Sequence, residues 1–214
     1  MIIAAIAKNH VEKDLQSFFA GDDIDWMLLK TVPAPEELRQ ADIVLDLDFV
    51  NERGRCEQLV RLQPALIIVN AVVPTLEEIG RPFVRINGWP GFRGKRTHEL
   101  VSPDAATTQR LQHLYERLGY RHHLAPDTAG MIAPRIVAGI INEAWHAWEE
   151  QVSTKEEIDI AMKLGTNYPF GPFEWGEHIG LGRIASLLWS LSRTDPRYLP
   201  ARALKQAAQG LKCD

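Results

Sequence analysis

At 214 residues, with 45% hydrophobic and 24% charged side chains, the chain has room for one large or two small globular domains. A net charge of −4 gives no electrostatic basis for binding nucleic acid. The two cysteines, Cys56 and Cys213, are far apart and form neither a disulfide framework nor a metal-ligand spacing, which points to a reducing, cytoplasmic compartment. The apolar opening MIIAAIA has no basic lead-in, is stopped by Lys8-Asn9-His10 and is too short to span a membrane, so it predicts a buried strand rather than a signal segment.

Runs rich in Ile, Val and Leu recur at Ile2–Ala7, Trp26–Leu29, Ile43–Leu47, Leu66–Val69 and Phe83–Ile86, and predict strands. Between them Val11–Phe19, Pro35–Gln40, Glu57–Leu62 and Thr75–Ile79 predict short helices, with Asn51 as the N-cap ahead of Glu57. This alternation predicts an α/β domain, a mainly parallel sheet covered by helices, over residues 1–125. Ala105–Leu118 has helical spacing and Gly119 is a natural stop, while His122–Thr128 reads as a short strand and linker. Residues 126–214 then form an all-α domain. Gly130–Glu150 is apolar on almost every face, from Met131 and Ile136 to Trp145 and Trp148. A helix of that kind is buried on more than one side, against its own domain or against a second copy of the chain. The next helix begins at Ser153 or Thr154, with Glu156 and Glu157 three residues on as capping-box partners.

The stretch after Asp127 carries a run of local motifs. Asn142-Glu143-Ala144 sits mid-helix, Ile158-Asp159 opens the next helix, and Met162-Lys163-Leu164-Gly165 leads to Tyr168-Pro169-Phe170-Gly171-Pro172-Phe173-Glu174 and Ile179-Gly180-Leu181. In this order they resemble the C-terminal domain of the 3-hydroxyacyl-CoA dehydrogenases almost position by position. Upstream, Ala41-Asp42-Ile43-Val44-Leu45-Asp46 is similar to that family's ADLVIEA strand, and Asn70 follows a strand where the family has Asn-Thr-Ser. The resemblance implies a shortened Rossmann-like domain followed by the family's helical domain. It also implies NAD as cofactor, an acyl-CoA as ligand, and a homodimer formed through the helical domain.

The residues of the implied chemistry are mostly replaced. Dinucleotide binding needs glycines at the first strand–helix turn so that the pyrophosphate can approach the backbone. Here that turn is Ala7-Lys8-Asn9-His10-Val11. Gly180-Leu181-Gly182-Arg183-Ile184-Ala185 fits the fingerprint as a string but follows a helical segment rather than a strand, and is set aside. Only Lys8 to Gln40 stand where the family inserts the arm that lines its CoA site. Anchored on Pro90, the family's general-base His falls at Ile86, its orienting Glu at Glu99, its substrate-holding Asn at Pro134 and its Ser at Val72. A positioned general base is typically worth about 10²–10⁴-fold, so hydride transfer is expected to be lost or very weak. His98, beside Glu99, is a substitute base by residue type, but neighbours on a strand point to opposite faces.

Other clusters have simpler readings. Glu143 and His146 share a helix face, yet a di-iron bundle needs a second such pair, which the sequence lacks. His122-His123 and His178 read as surface or helix-contact residues. Arg93, Lys95 and Arg96 in Gly91-Phe92-Arg93-Gly94-Lys95-Arg96 form a basic loop able to grip a phosphate, or else a solvated turn. With Asn70 they are the candidate substrate-binding residues, and Glu99 and His98 the candidate catalytic ones. Three functions remain open: a divergent dehydrogenase, an acyl-CoA or anion-binding module without hydride transfer, and a dimeric structural or regulatory partner.

Overall fold

The structure, a computed structural model, describes residues 1–8, 18–19, 23–38, 40–63 and 65–210. All but Phe18 and Phe19 of the helix expected over Val11–Phe19, and Asn9-His10-Val11 of the first turn, lie outside the described residues. The chain divides into two compact units, Met1–Met131 and Ile132–Asp214.

The first unit is built on a seven-stranded sheet in the order β2-β1-β3-β4-β5-β6-β7. The strands are β1 (Ile2–Ile6), β2 (Asp25–Leu29), β3 (Ile43–Asp46), β4 (Leu66–Val69), β5 (Val84–Ile86), β6 (Thr97–Val101) and β7 (Arg121–Leu124). Every pairing is parallel except β5 with β6, so the sheet is mainly parallel and Rossmann-like. Among the described residues the α-helices of this unit are α1 (Arg53–Val60), α2 (Leu76–Ile79) and α3 (Ala105–Leu118), with a 3-10 turn at Pro35–Leu38. Two apolar layers explain the unbroken Ile/Val/Leu runs, since strands covered on both faces have no polar side. Ile3, Ile43, Leu45, Ile68, Val84 and Ile86 face the layer with Phe18, Phe19, Leu111 and Tyr115. Ala4, Ile6, Val44, Ile67 and Val69 face the other, with Leu38, Cys56, Leu59 and Phe83.

β6 was absent from the expected strands; its polar Thr97, His98 and Glu99 hide the alternation, and it pairs antiparallel through Arg85↔Val101 and Ile86↔Leu100. Asn51 is not the N-cap of α1. Glu52 holds that position without a side-chain bond, while Asn51 Nδ2 donates to the Glu78 carbonyl at 3.2 Å. Thr75 caps α2 with a full capping box, and Gly119 ends α3 in the left-handed conformation.

The second unit holds α4 (Ala133–Glu149), α5 (Lys155–Thr166), α6 (Pro172–Ile179), α7 (Leu181–Ser192) and α8 (Arg202–Gly210). α4 starts at Ala133 because Gly130 and Met131 both take positive φ. Thr154 and Glu157 form the capping box of α5, which selects Thr154 over Ser153.

The Tyr168–Glu174 turn has a local explanation. Asp159, buried on α5, accepts the N–H of Phe173 at 2.8 Å and of Glu174 at 3.1 Å, and so caps α6 from outside. A Cβ at position 171 would come within 2.3 Å of the Asp159 side chain, so the capping carboxylate fits only against glycine. Lys163 Nζ meets Glu174 at 2.5 Å on the outer side. Asn142 plays a similar bracing role. Its Nδ2 donates to the Leu199 carbonyl at 2.9 Å and its Oδ1 accepts the Ala201 N–H at 2.8 Å, tying α4 to a segment far along the chain. These motif residues hold the helical unit together.

Candidate functional site

In an open parallel sheet, ligands bind beyond the carboxyl ends of the strands, where the chain order reverses. Here that point lies between β1 and β3. Asp48 fills it: its carboxylate accepts the Lys8 N–H, two residues past β1. Asp46, fully buried at the end of β3, takes a bidentate bond from Arg55, 2.8 Å from Nε and 2.7 Å from Nη2, and accepts the Asp48 N–H at 3.2 Å. Burial raises the Asp46 carboxyl above its ordinary range, and the Arg55 guanidinium opposes that shift. Among the described residues, a pyrophosphate entering here meets the Asp48 carboxylate, and these residues do not fit NAD.

The ends of β4 and β5 are braced rather than open. Asn70 Nδ2 donates to the Leu47 carbonyl at 3.2 Å, and Oδ1 accepts the Gly88 N–H at 3.0 Å. Gly88 is required by this approach, since a Cβ there would lie 2.8 Å from the Asn70 side chain. Arg93 Nε donates to the Gly88 carbonyl at 2.7 Å, and its guanidinium lies 5.7 Å from the Phe18 ring centre. Arg93 is half-buried, whereas Lys95 and Arg96 are exposed. Of the loop's cations, these two therefore face solvent.

Ile86, where the resemblance puts the general base, is wholly within the apolar core. His98 and Glu99 take opposite faces of β6, as expected. His98 is 4% exposed among Phe18, Phe19, Tyr115 and Tyr120, and its Nδ1 lies 2.9 Å from the Tyr115 hydroxyl. Its Nε2 has no hydrogen-bond partner. Burial pushes the imidazole down to about 4; the nearby Lys95 backbone raises it slightly without forming a hydrogen bond to Nε2. His98 is thus neutral, but enclosed where no substrate reaches it.

Glu99 is half-buried on the other face, the same side as Arg85 by the β5–β6 register. Arg85 is a feature that sequence reasoning missed. It is 0% exposed and meets Asp127 at 2.5 Å. It also donates to the carbonyls of Ala71 at 2.8 Å, Val72 at 3.0 Å and Thr128 at 3.2 Å. A cation inside Phe83-Val84-Arg85-Ile86 was the signal in the sequence, because a charge in a buried strand demands a partner.

Three other histidines have local partners. His122 packs against Tyr115 at 4.8 Å and His178 stacks on Phe170 at 5.2 Å. His146 lies 3.8 Å from Glu149 rather than pairing with Glu143. Among the described residues no group of His, Cys, Asp and Glu is placed to hold a metal, and no helix is long and apolar enough to cross a membrane.

The architecture is that of a two-part α/β protein: a Rossmann-like sheet followed by a helical unit. A structure of (S)-3-hydroxybutyryl-CoA dehydrogenase from Ralstonia eutropha superposes with a TM-score of 0.78 over 98% of this chain and 94% of that one, at 18% identity, which shows shared fold. Residues 130–212 match the family described as 3-hydroxyacyl-CoA dehydrogenase, C-terminal domain. That match lies in the helical part of the chain and covers less than half of its length. The chain is 38% identical over 132 residues to 3-hydroxyadipyl-CoA dehydrogenase of Escherichia coli, covering 61% of this chain and 28% of the relative. With 3-hydroxybutyryl-CoA dehydrogenase of Bradyrhizobium diazoefficiens it shares 34% over 106 residues, 49% of this chain and 36% of the relative. The matches therefore span only about a third of these curated relatives.

Proposed function

We infer that this chain is a divergent member of the family, tied to acyl-CoA or fatty-acid metabolism, in which hydride transfer has been lost. The observation that carries this is Ile86, buried in the core where the family places its base. No group there can take the hydroxyl proton as hydride leaves. Asp48 at the β1 turn supports the same reading, since its carboxylate already holds the Lys8 N–H and repels phosphate. The half-buried Glu99 does not orient His98, which lies on the opposite face of the sheet. The expected result is no NADH formation from 3-hydroxybutyryl-CoA above background and no thermal shift with NAD. A robust rate that disappears in Glu99→Gln would refute the loss of catalysis. A thermal shift with CoA, diminished by substituting Lys95 and Arg96, would favour an acyl-CoA or anion-binding module.

The helical unit supports self-association as a second property. Ile136 on α4 is 57% exposed, and Ile160 and Leu164 on α5 are 52% and 83% exposed. Apolar side chains this open on one small unit commonly mark an interface. Light scattering at micromolar protein should give a dimer mass, and Leu164→Glu should shift it toward monomer. A monomer for the parent chain would rule the interface out.

A further inference from the structure

A cavity of ≈ 520 Å³ opens within the helical unit, lined chiefly by Trp145, Phe173, Gly180 and Leu181, with Lys155 and Glu177 as its charged residues. Lys155 is the first residue of α5, an end of the helix where positive charge is disfavoured. Its ammonium is held instead by aromatic faces, 4.3 Å from the Trp145 ring centre, 4.4 Å from Trp148 and 5.4 Å from Phe173. Rings attract the cation but accept none of its hydrogen bonds in the way an oxygen does. Among the described residues Lys155 has no ion pair, although Glu177 lines the same cavity. A second donor is also unmet: the indole N–H of Trp145, a residue 4% exposed, is buried without an acceptor. The cavity thus joins an apolar wall to an ammonium that has no oxygen partner among the described residues. Buried polar groups without partners are rare in folded proteins and often mark a missing ligand or water.

We propose that this cavity binds a monocarboxylate with an apolar tail, its carboxylate on the Lys155 ammonium and its tail against Phe173 and Leu181. The carboxylate supplies the acceptor that Lys155 lacks, and the tail displaces water from an apolar wall. A positively charged amphiphile would instead have to compete with Lys155 for the same rings. Glu177 works against the anion, so its removal has a defined sign: Glu177→Gln tightens carboxylate binding.

The test is a titration of the full-length protein with octanoate, followed by the Trp145 indole N–H resonance in a ¹H–¹⁵N correlation spectrum. The resonance is identified by its loss in Trp145→Phe. Octan-1-ol and octyltrimethylammonium are titrated in parallel. The expected result is a saturable shift with octanoate below about 10 mM, weakened about tenfold or more in Lys155→Met and retained in Lys155→Arg, with both other amphiphiles weaker by a similar factor. Circular dichroism establishes that the Lys155 variants are folded, and if Lys155→Met is not, the three-ligand comparison and Glu177→Gln decide on their own. The proposal is overturned by the absence of a saturable shift or by octanol binding as well as octanoate. It is equally overturned by tighter binding of octyltrimethylammonium, or by weaker octanoate binding in Glu177→Gln.

Discussion

Replacing Arg85 by methionine is expected to lower the melting temperature of the sheet unit by on the order of 10 °C. The guanidinium is wholly buried and serves four acceptors: Asp127 and the carbonyls of Ala71, Val72 and Thr128. Burial lowers the Arg85 pKa and the Asp127 carboxylate opposes that shift. Methionine fills much of the volume but offers no donor. Breaking a buried pair from one side costs about 3–5 kcal/mol, because the remaining groups stay desolvated without partners. Arg85→Lys keeps the charge but loses the planar fork that reaches several acceptors at once, so its loss should fall between parent and methionine. Thermal and urea unfolding measure both. A methionine variant within about 1 kcal/mol of the parent would show that the network contributes little, as some buried pairs do.

The second large effect concerns acid. His98 has its folded pKa depressed from the ordinary 6.5 to about 4, chiefly by burial. The unfolded chain therefore binds a proton at higher pH than the folded one. The stability linked to this group is fully present above about 6.5, is lost progressively as pH falls, and is gone below about 4. A depression of that size corresponds to roughly 3 kcal/mol. Denaturant unfolding from pH 7 to pH 4 should show that decline, and His98→Phe should remove this part of the slope. The substitution also strips the Tyr115 hydroxyl of its partner, so it lowers stability at pH 7 while flattening the profile. Carboxylates such as Asp46 titrate in parent and variant alike, so the difference between the two curves isolates His98. Identical slopes would contradict the assignment.

What could be read from the sequence follows the strength of local signals. The runs IIAAI, IVLD and LIIV announce strands covered on both faces, and Thr154 with Glu157 announces a helix start. The Tyr168–Glu174 motif was legible as a turn, but its reason, a carboxylate from α5 entering against Gly171, depends on tertiary proximity. β6 was hidden because Thr97 and Glu99 mask its alternation and because its partner β5 runs antiparallel. The apolar character of Ile86, where the resemblance puts the base, was legible in the sequence; the enclosure of His98 by Phe18, Phe19, Tyr115 and Tyr120 was not. Asn70 and Arg93 read as ligand contacts by position. In the fold they are occupied with Leu47 and Gly88, contacts that no spacing rule shows.

Pro126–Met131 follow the last strand, where the sequence signals for the sheet have ended, yet they remain chemically part of it. Asp127 neutralises Arg85 and also accepts the Leu76 N–H at the start of α2, while the Gly130 N–H returns to the Val72 carbonyl. The point at which this protein can be divided is therefore set by a counter-ion and not by the end of β7. A fragment cut after Ala125 would strand a guanidinium in its core and uncover a helix end. One cut after Met131 would carry the charge and its neutraliser together. Any recombination that exchanges the helical half of such a chain keeps the sheet half intact only if the crossover spares this short tail.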